Sequence, residues 1–324
     1  MKAFQFKPLL KTTLWGGEEL KAMKQMADAP RQVGESWEIS GLPGHETPVA
    51  AGEFRGNTLQ QLAERFGAAF MGEHNVQRYG TQFPLLVKFI STAKDLSIQV
   101  HPDDGMAQRM GHPFGKNEMW YIIQAQPGAF LYLGFERRLT PQSFSEALMQ
   151  GSLQSFLRQM QTKPGDAFFI PAGCIHSIGA GNLLIEIQQS SNDTFRVYDF
   201  DRRDADGNKR ELHVEQAREA LCFDPDTAAG ALAYAADAQG TVTLLDCPQF
   251  RVRLLRQDGP GRLDYARLDS FAILVAFEGE ALLRYDEGNL RLRAGESALF
   301  PASATFVEVV PGPQGFKALE ASCP

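Results

Sequence analysis

Gln99 and His101 stand two residues apart in the β-rich run DLSIQVHPDD, a spacing that turns both side chains to one face of an extended strand. An amide oxygen and an imidazole nitrogen presented together are metal-ligand chemistry. Glu118 follows the Gly/Pro-rich turn HPFG and opens the apolar run MWYII, so an antiparallel return would bring its carboxylate beside the first two groups. A fourth candidate is His176, in GDAFFIPAGCIH, where a short apolar strand meets Pro171 and Gly173 and the chain turns back. Two imidazoles, a carboxylate and an amide suit zinc, and they suit iron or manganese as well. A lone strand histidine is ordinarily structural, and it is the conjunction of these spacings that points to a metal.

The elements around these residues are mostly short strands. PLLVKFIST and DLSIQVHP are two β-rich runs, and Lys88 interrupts the first, either snorkelling from a sheet edge or facing a polar pocket beside the metal strand. MWYIIQAQPGAFLYLGF reads as a hairpin, and LLIEIQQSS as a further strand. Short runs at Phe4 to Leu10 and Glu35 to Ser40 add β-structure near the N-terminus. Helical spacing is confined to insertions. One is LQQLAERFGAAF, capped by Asn57 and Thr58; another runs from Thr140-Pro141 through Met149; a third is expected over Leu153 to Met160, and a fourth in VEQAREAL.

The Ala/Gly-rich stretch 227–240 interrupts the strand pattern and reads as a linker between a metal-binding domain, 1–226, and a second domain, 241–324. An internal echo links the two. Pro164-Gly165-Asp166 with Ile170-Pro171-Ala172 matches Ala294-Gly295-Glu296 with Phe300-Pro301-Ala302 at a constant offset of 130 residues, which sets His176 against Phe306. The second copy keeps the turn chemistry and loses the ligand, as expected of two duplicated β-barrels of which only the first holds metal.

The net charge of -7 argues against nonspecific binding to nucleic acid or an anionic membrane. Cys174, Cys222, Cys247 and Cys323 are scattered with no CxxC pair, which fits reduced thiols rather than a disulfide framework or a Cys-rich zinc site. MKAFQFKPLLKTTLWGG lacks the apolar core of a signal peptide, and no run approaches the roughly 20 apolar residues that span a bilayer, so a cytoplasmic protein is expected. Nothing in the sequence speaks to oligomeric state.

The segment G-x5-P-x-G-x2-H-x5-N, from Gly165 to Asn182, resembles the second motif of the cupin superfamily, and Gln99, His101 and Glu118 resemble a variant of its first. That resemblance implies a mainly β fold of two jelly-roll domains, the first with short helical insertions. LWGG at Leu14 to Gly17, PLLVKFI, LSIQVHPDD, GKNEMWYII, IPAGCIHSIGAG and LLIEIQQSSNDTFRVYDFDR are similar, more narrowly, to type I mannose-6-phosphate isomerases, particularly the short bacterial form. The resemblance runs in ordered segments from Thr13 to Leu221.

The resemblance implies that Gln99, His101, Glu118 and His176 hold one Zn2+ per chain, other divalent metals remaining open. It also implies that Arg196 is an active-site arginine and that Lys88 and Lys116 are pocket lysines. The chain departs from the longer family members at Lys116-Asn117-Glu118, where they carry Lys-Pro-Glu, and in lacking their large helical domain, which leaves the phosphate contacts unassigned. Aldose-ketose isomerisation moves a proton between C1 and C2 through an enediol, so the site must polarise a carbonyl, stabilise an oxyanion and hold an acid/base.

Lys116 and Glu186 are the candidates for the acid/base, Arg196 for enediolate stabilisation, and Lys88 for a phosphate or hydroxyl contact. For Arg196 the bland alternative is a surface ion pair with Asp193, Asp199 or Asp201, and for Glu186 a strand carboxylate turned to solvent. The small-molecule partner so implied is a sugar phosphate. The competing functions are an iron-dependent cupin oxygenase and a non-catalytic sugar-phosphate-binding cupin.

Overall fold

Alternation along the strands decides which side chains reach the interior. In the strand Asn182–Gln189, Leu183, Ile185 and Ile187 face one way and Leu184, Glu186 and Gln188 the other; in Leu85–Ser91, Leu86, Lys88 and Ile90 share the second face. In the computed structural model, which describes every residue except Ala27, Ala205 and Asp226, these strands lie at the centre of a seven-stranded sheet. Its order is Leu9–Gly17, Val33–Ile39, Leu85–Ser91, Asn182–Gln189, Glu118–Ala125, Ala167–Ile170 and Gly230–Ala231.

A five-stranded sheet, ordered Phe195–Tyr198, Ile98–Val100, His176–Ile178, Phe130–Phe135 and Leu157–Gln161, packs on it. Trp120, Ile122, Ile90, Leu184 and Phe168 from the first sheet meet Leu131, Leu133 and Ile178 from the second in one core. The chain is mainly β, as expected. The hydrogen-bonded paths do not close into barrels, because strands at both ends of each path have only one partner; the two N-terminal sheets face one another, as the two sheets of a jelly roll do.

The outer face of the seven-stranded sheet is also apolar. Leu85, Val87, Phe89, Ile185 and Ile187 continue into a core shared with Phe250, Phe271, Ile273 and Leu319 of the C-terminal part. There a second seven-stranded sheet runs in the order Gly240–Asp246, Arg251–Gln257, Phe306–Ser322, Ala272–Tyr285 and Gly288–Arg293; Gly261–Asp264 and Ser297–Phe300 pair alongside. The rings of Phe83 and Phe271 lie 4.5 Å apart across this junction. Phe4 exchanges backbone hydrogen bonds with Leu299, so the N-terminal segment joins the C-terminal part.

The internal echo has a structural counterpart. Ala167–Ile170 and Ser297–Phe300 are equivalent four-residue strands, and His176 and Phe306 each open the strand that follows. Gly165 and Gly295, in the turns that precede the four-residue strands, adopt φ of 91° and 87°, a left-handed conformation that favours glycine. Register extends the match: Glu118 pairs with Ile170, and Ala272 pairs with Phe300. The second copy therefore has Ala272 and Phe306 where the first has Glu118 and His176.

The helix Leu59–Phe66 carries the expected cap, in which Thr58 Oγ1 accepts from the Gln61 N–H and Gln61 Oε1 accepts from the Thr58 N–H. Two expectations change. The helical piece at Leu153 to Met160 is helical, as a 3-10 turn, only over Leu153–Phe156; Leu157–Gln161 is an edge strand, because Phe130–Phe135 offers it a ladder of hydrogen bonds that local spacing does not reveal. The stretch 227–240 contributes the edge strand Gly230–Ala231, paired with Phe168 and Phe169. The boundary read at Asp226 falls outside the described residues.

Candidate metal centre and active site

Register assembles the site from separate elements. Gln99 pairs directly with His176, Glu186 pairs with both Lys88 and Trp120, and Gln188 pairs with Glu118. All the charged members of this group turn into the space between the sheets, where their neighbours on the same faces are apolar. His101 lies just past the end of Ile98–Val100 and keeps the parity set by Gln99. Each of these side chains is costly to bury alone, so their convergence needs a compensating partner.

His101, Glu118 and His176 are buried, and their ligand atoms lie within 4.8 Å of one another. His101 Nε2 is 3.3 Å from Glu118 Oε1, and His176 Nε2 is 3.7 Å from Glu118 Oε2. The outward ring nitrogens are held by backbone carbonyls: His101 Nδ1 is 2.8 Å from the Asp193 oxygen and His176 Nδ1 is 2.9 Å from the Cys174 oxygen. A carbonyl can only accept, so Nδ1 carries the proton in both rings and the Nε2 lone pairs point inward.

Burial, and then the Lys116 ammonium, push the His101 pKa down to about 3, and burial lowers His176, so both rings are neutral at physiological pH. Burial works to raise Glu118, but the Lys116 ammonium at 2.9 Å outweighs it and holds the carboxylate ionised. His101 Nε2 and both Glu118 oxygens make no well-angled hydrogen bond, and the Lys116 contact is an ion pair only. Two inward lone pairs and an orphaned carboxylate are the donor set of a divalent cation. Among the described residues this is the one such cluster.

The half-buried Gln99 presents its amide nitrogen to His176 Nε2 at 3.3 Å, while its oxygen accepts from Ser97 Oγ at 3.2 Å. Offering the oxygen to a metal takes a half-turn of the amide. The Ser97 hydroxyl, donor and acceptor alike, tolerates that exchange.

His176 of the triad lines a polar cavity of about 270 Å³ together with Gln99, Lys116, Lys88, Glu186 and Arg196, and with Glu35, Trp15, Trp120 and Arg210. Lys88 therefore faces a pocket, and it lies in the middle of the sheet, not at an edge. It donates to Glu186 Oε1 at 2.8 Å and stands 3.8 Å from Glu35 Oε2. Burial acts to lower its pKa, but these two carboxylates prevail and hold the ammonium above its ordinary value.

Glu186 is buried, not turned to solvent. Its second oxygen accepts from Trp120 Nε1 at 2.8 Å, and burial together with the Glu118 charge raises its pKa against the pull of Lys88. Arg196 makes no ion pair within 4 Å among the described residues, unlike the surface pairing considered for it; one Nη donates to the Glu211 carbonyl at 2.9 Å. A larger cavity, about 680 Å³, lies beyond the Ser190–Asp193 turn and contains none of the triad.

Glu35 and Arg210 were not singled out by spacing. Glu35 sits in a strand that reads as plain β-structure, and Arg210 in a charged segment with no periodicity, so neither carries a local signal.

The model of the phosphomannose isomerase type I catalytic domain matches residues 3–122. The mannose-6-phosphate isomerase ManA of Bacillus subtilis is 32% identical over 299 residues, covering 91% of this chain and 92% of that protein. The chain belongs to the type I phosphomannose isomerase family. A second relative from the same organism, the putative mannose-6-phosphate isomerase YvyI, is 32% identical over 297 residues, with 91% and 92% covered. The crystal structure of the B. subtilis mannose 6-phosphate isomerase has a TM-score of 0.89 and 30% identity, covering 100% of both chains. Membership in this isomerase family displaces the oxygenase and binding-only alternatives. No helix among the described residues is long and apolar enough to cross a membrane.

Proposed function

We propose that the chain is a zinc-dependent isomerase that interconverts mannose 6-phosphate and fructose 6-phosphate in the cytoplasm. The observation that carries this reading is that the orphaned His101–Glu118–His176 donor set reaches, through His176, the same small polar cavity that Glu186, a carboxylate of raised pKa, lines. The four unpaired thiols agree with a reducing compartment.

His101, Glu118 and His176, with Gln99 turned by its amide, would hold the metal. When bound, a divalent cation supplies Lewis acidity toward a carbonyl oxygen and the oxyanion that develops from it. Glu186 moves the proton between C1 and C2. Its raised pKa brings it nearer neutrality than a free carboxylate, which is where a general base that must also return its proton works best. Trp120 Nε1 and Lys88 fix the two oxygens of Glu186 and restrict the carboxylate to one orientation. Lys116 lines the same cavity 2.9 Å from Glu118 and can donate to a substrate oxygen. Arg196 stabilises enediolate charge without itself titrating.

Elemental analysis of the purified protein beside a coupled isomerase assay tests this. Zinc near one equivalent, turnover lost on chelation and restored by zinc, and loss of both metal and turnover in His176→Ala are expected. Full activity in metal-free protein would overturn the reading, and stoichiometric iron with restoration only by iron would overturn the zinc assignment.

A further inference from the structure

The charge of the active-site cavity is uneven. At the metal end each ammonium already faces a carboxylate: Lys116 lies 2.9 Å from Glu118, and Lys88 lies 2.8 Å from Glu186 and 3.8 Å from Glu35. Neither lysine has uncompensated charge to offer a dianion, and this weakens the phosphate contact read for Lys88 from sequence. The guanidiniums that line the same cavity are balanced differently.

Arg202 and Arg210 both pair with one buried carboxylate, Asp199, and Arg196 feels its charge without pairing with it. Arg202 donates to Asp199 and to the Asp95 carbonyl and is used up in holding the loop. Arg210 meets Asp199 edge-on, Nε donating to Oδ2 at 2.7 Å and Nη2 to Oδ1, and its Nη1 has no protein partner among the described residues. Arg196 keeps a buried Nε with no hydrogen bond. Arg196 and Arg210 both line the cavity, beside Thr194 and Ser97. Two guanidiniums share the single Asp199 carboxylate and Arg196 has no ion pair among the described residues, which leaves an excess of positive charge, and Arg196 and Arg210 retain N–H groups that the protein does not satisfy.

We propose that Arg210, held in plane by Asp199, recognises the phosphoryl group of the substrate, so that the sugar's reacting end is left to the metal centre and Arg196. The inference rests on the isomerase reading and adds to it the residue that discriminates a sugar phosphate from a free sugar. Asp199 is a positioning residue: its carboxylate consumes one edge of Arg210 and aims the remaining donor. A planar fork fixed on one edge loses little freedom on meeting a second anion. The short chain thereby obtains from the excursion 196–210 a contact that does not depend on a helical domain.

The test uses metal-loaded Arg210→Gln with Arg210→Lys as its conservative partner, the metal content of each being checked in the sample assayed. For Arg210→Gln the KM for mannose 6-phosphate should rise about 10- to 100-fold, the span expected for one charge-assisted hydrogen bond, with the larger part of the loss in KM and not in kcat. Competitive inhibition by inorganic phosphate should weaken by a similar factor, and Arg210→Lys should recover part of both. An unchanged phosphate inhibition constant, or a loss confined to kcat, would overturn the proposal. If the wild-type protein shows no isomerisation, the isomerase reading fails by itself. Calorimetric titration with inorganic phosphate then decides the subsite: weaker binding to Arg210→Gln supports it, and equal binding to both proteins overturns it.

Discussion

Lys88 and Glu186 stand opposite one another on neighbouring antiparallel strands, the ammonium donating to Oε1 at 2.8 Å, and both are buried. Removing one member leaves the other charge unpaired in the sandwich interior. Lys88→Met should therefore cost about 3–5 kcal/mol of stability in chemical denaturation, more than its loss of volume explains. Glu186→Gln keeps the shape, but its NH2 cannot accept, so either Lys88 Nζ or Trp120 Nε1 loses its partner; it should cost about 1–3 kcal/mol, softened by Glu35 3.8 Å from Lys88, while lowering kcat by about 10²- to 10⁴-fold with metal retained. A Glu186→Gln enzyme of normal kcat would move the acid/base role elsewhere, to Lys116 first.

Trp120 offers a finer test of the same carboxylate. Its Nε1–H donates to Glu186 Oε2 at 2.8 Å and so favours the ionised form. Trp120→Phe removes that donor, and the Glu186 pKa, already raised by burial, should rise further. The acid limb of the kcat/KM profile should shift to higher pH, measured at saturating metal. A profile that does not move would separate Glu186 from the proton-transfer step.

Asp199 predicts acid lability. Burial alone would raise its carboxyl, but hydrogen bonds from Arg210 and Arg202 prevail and place it below the ordinary 3.8. The folded state thus binds fewer protons than the unfolded chain between these two values. The stabilisation is present above pH 3.8 and is lost as pH falls through the folded value. Asp199→Asn should remove this part of the acid dependence, read as a flatter Tm against pH below about pH 5.

The shared core predicts that the two sheet systems unfold together. Phe271 is fully buried, 4.5 Å from Phe83 of the N-terminal part, and Phe271→Ala should cost about 3–5 kcal/mol. Calorimetry should show a single transition moved to lower temperature. Two resolved transitions in the variant, with the C-terminal one alone shifted, would show that the junction does not couple the halves.

Much of the site was legible locally. The two-residue step from Gln99 to His101, the strand opened by Glu118 and the turn that returns to His176 are short-range patterns, and strand parity converts them directly into facing side chains. The 130-residue echo likewise carried a tertiary fact, because turn residues such as Gly165 and Gly295 answer to backbone conformation and not to distant partners. The capping box at Thr58 was visible for the same reason.

What the sequence by itself determined is therefore a mainly β chain with a metal-competent set of ligands, since period-2 alternation and turn chemistry are properties of neighbouring residues. Tertiary structure alone decided the charge arrangement. Whether Lys88 snorkels or pairs, whether Glu186 meets solvent or Trp120, and whether Arg210 shares Asp199 with Arg202 depend on which strands lie side by side and how deeply they are buried. It also decided that 157–161 is an edge strand, because a ladder partner far along the chain outweighed local preference. Burial and pairing set the sign of every pKa shift in the cavity, and neither is written in any short stretch of residues.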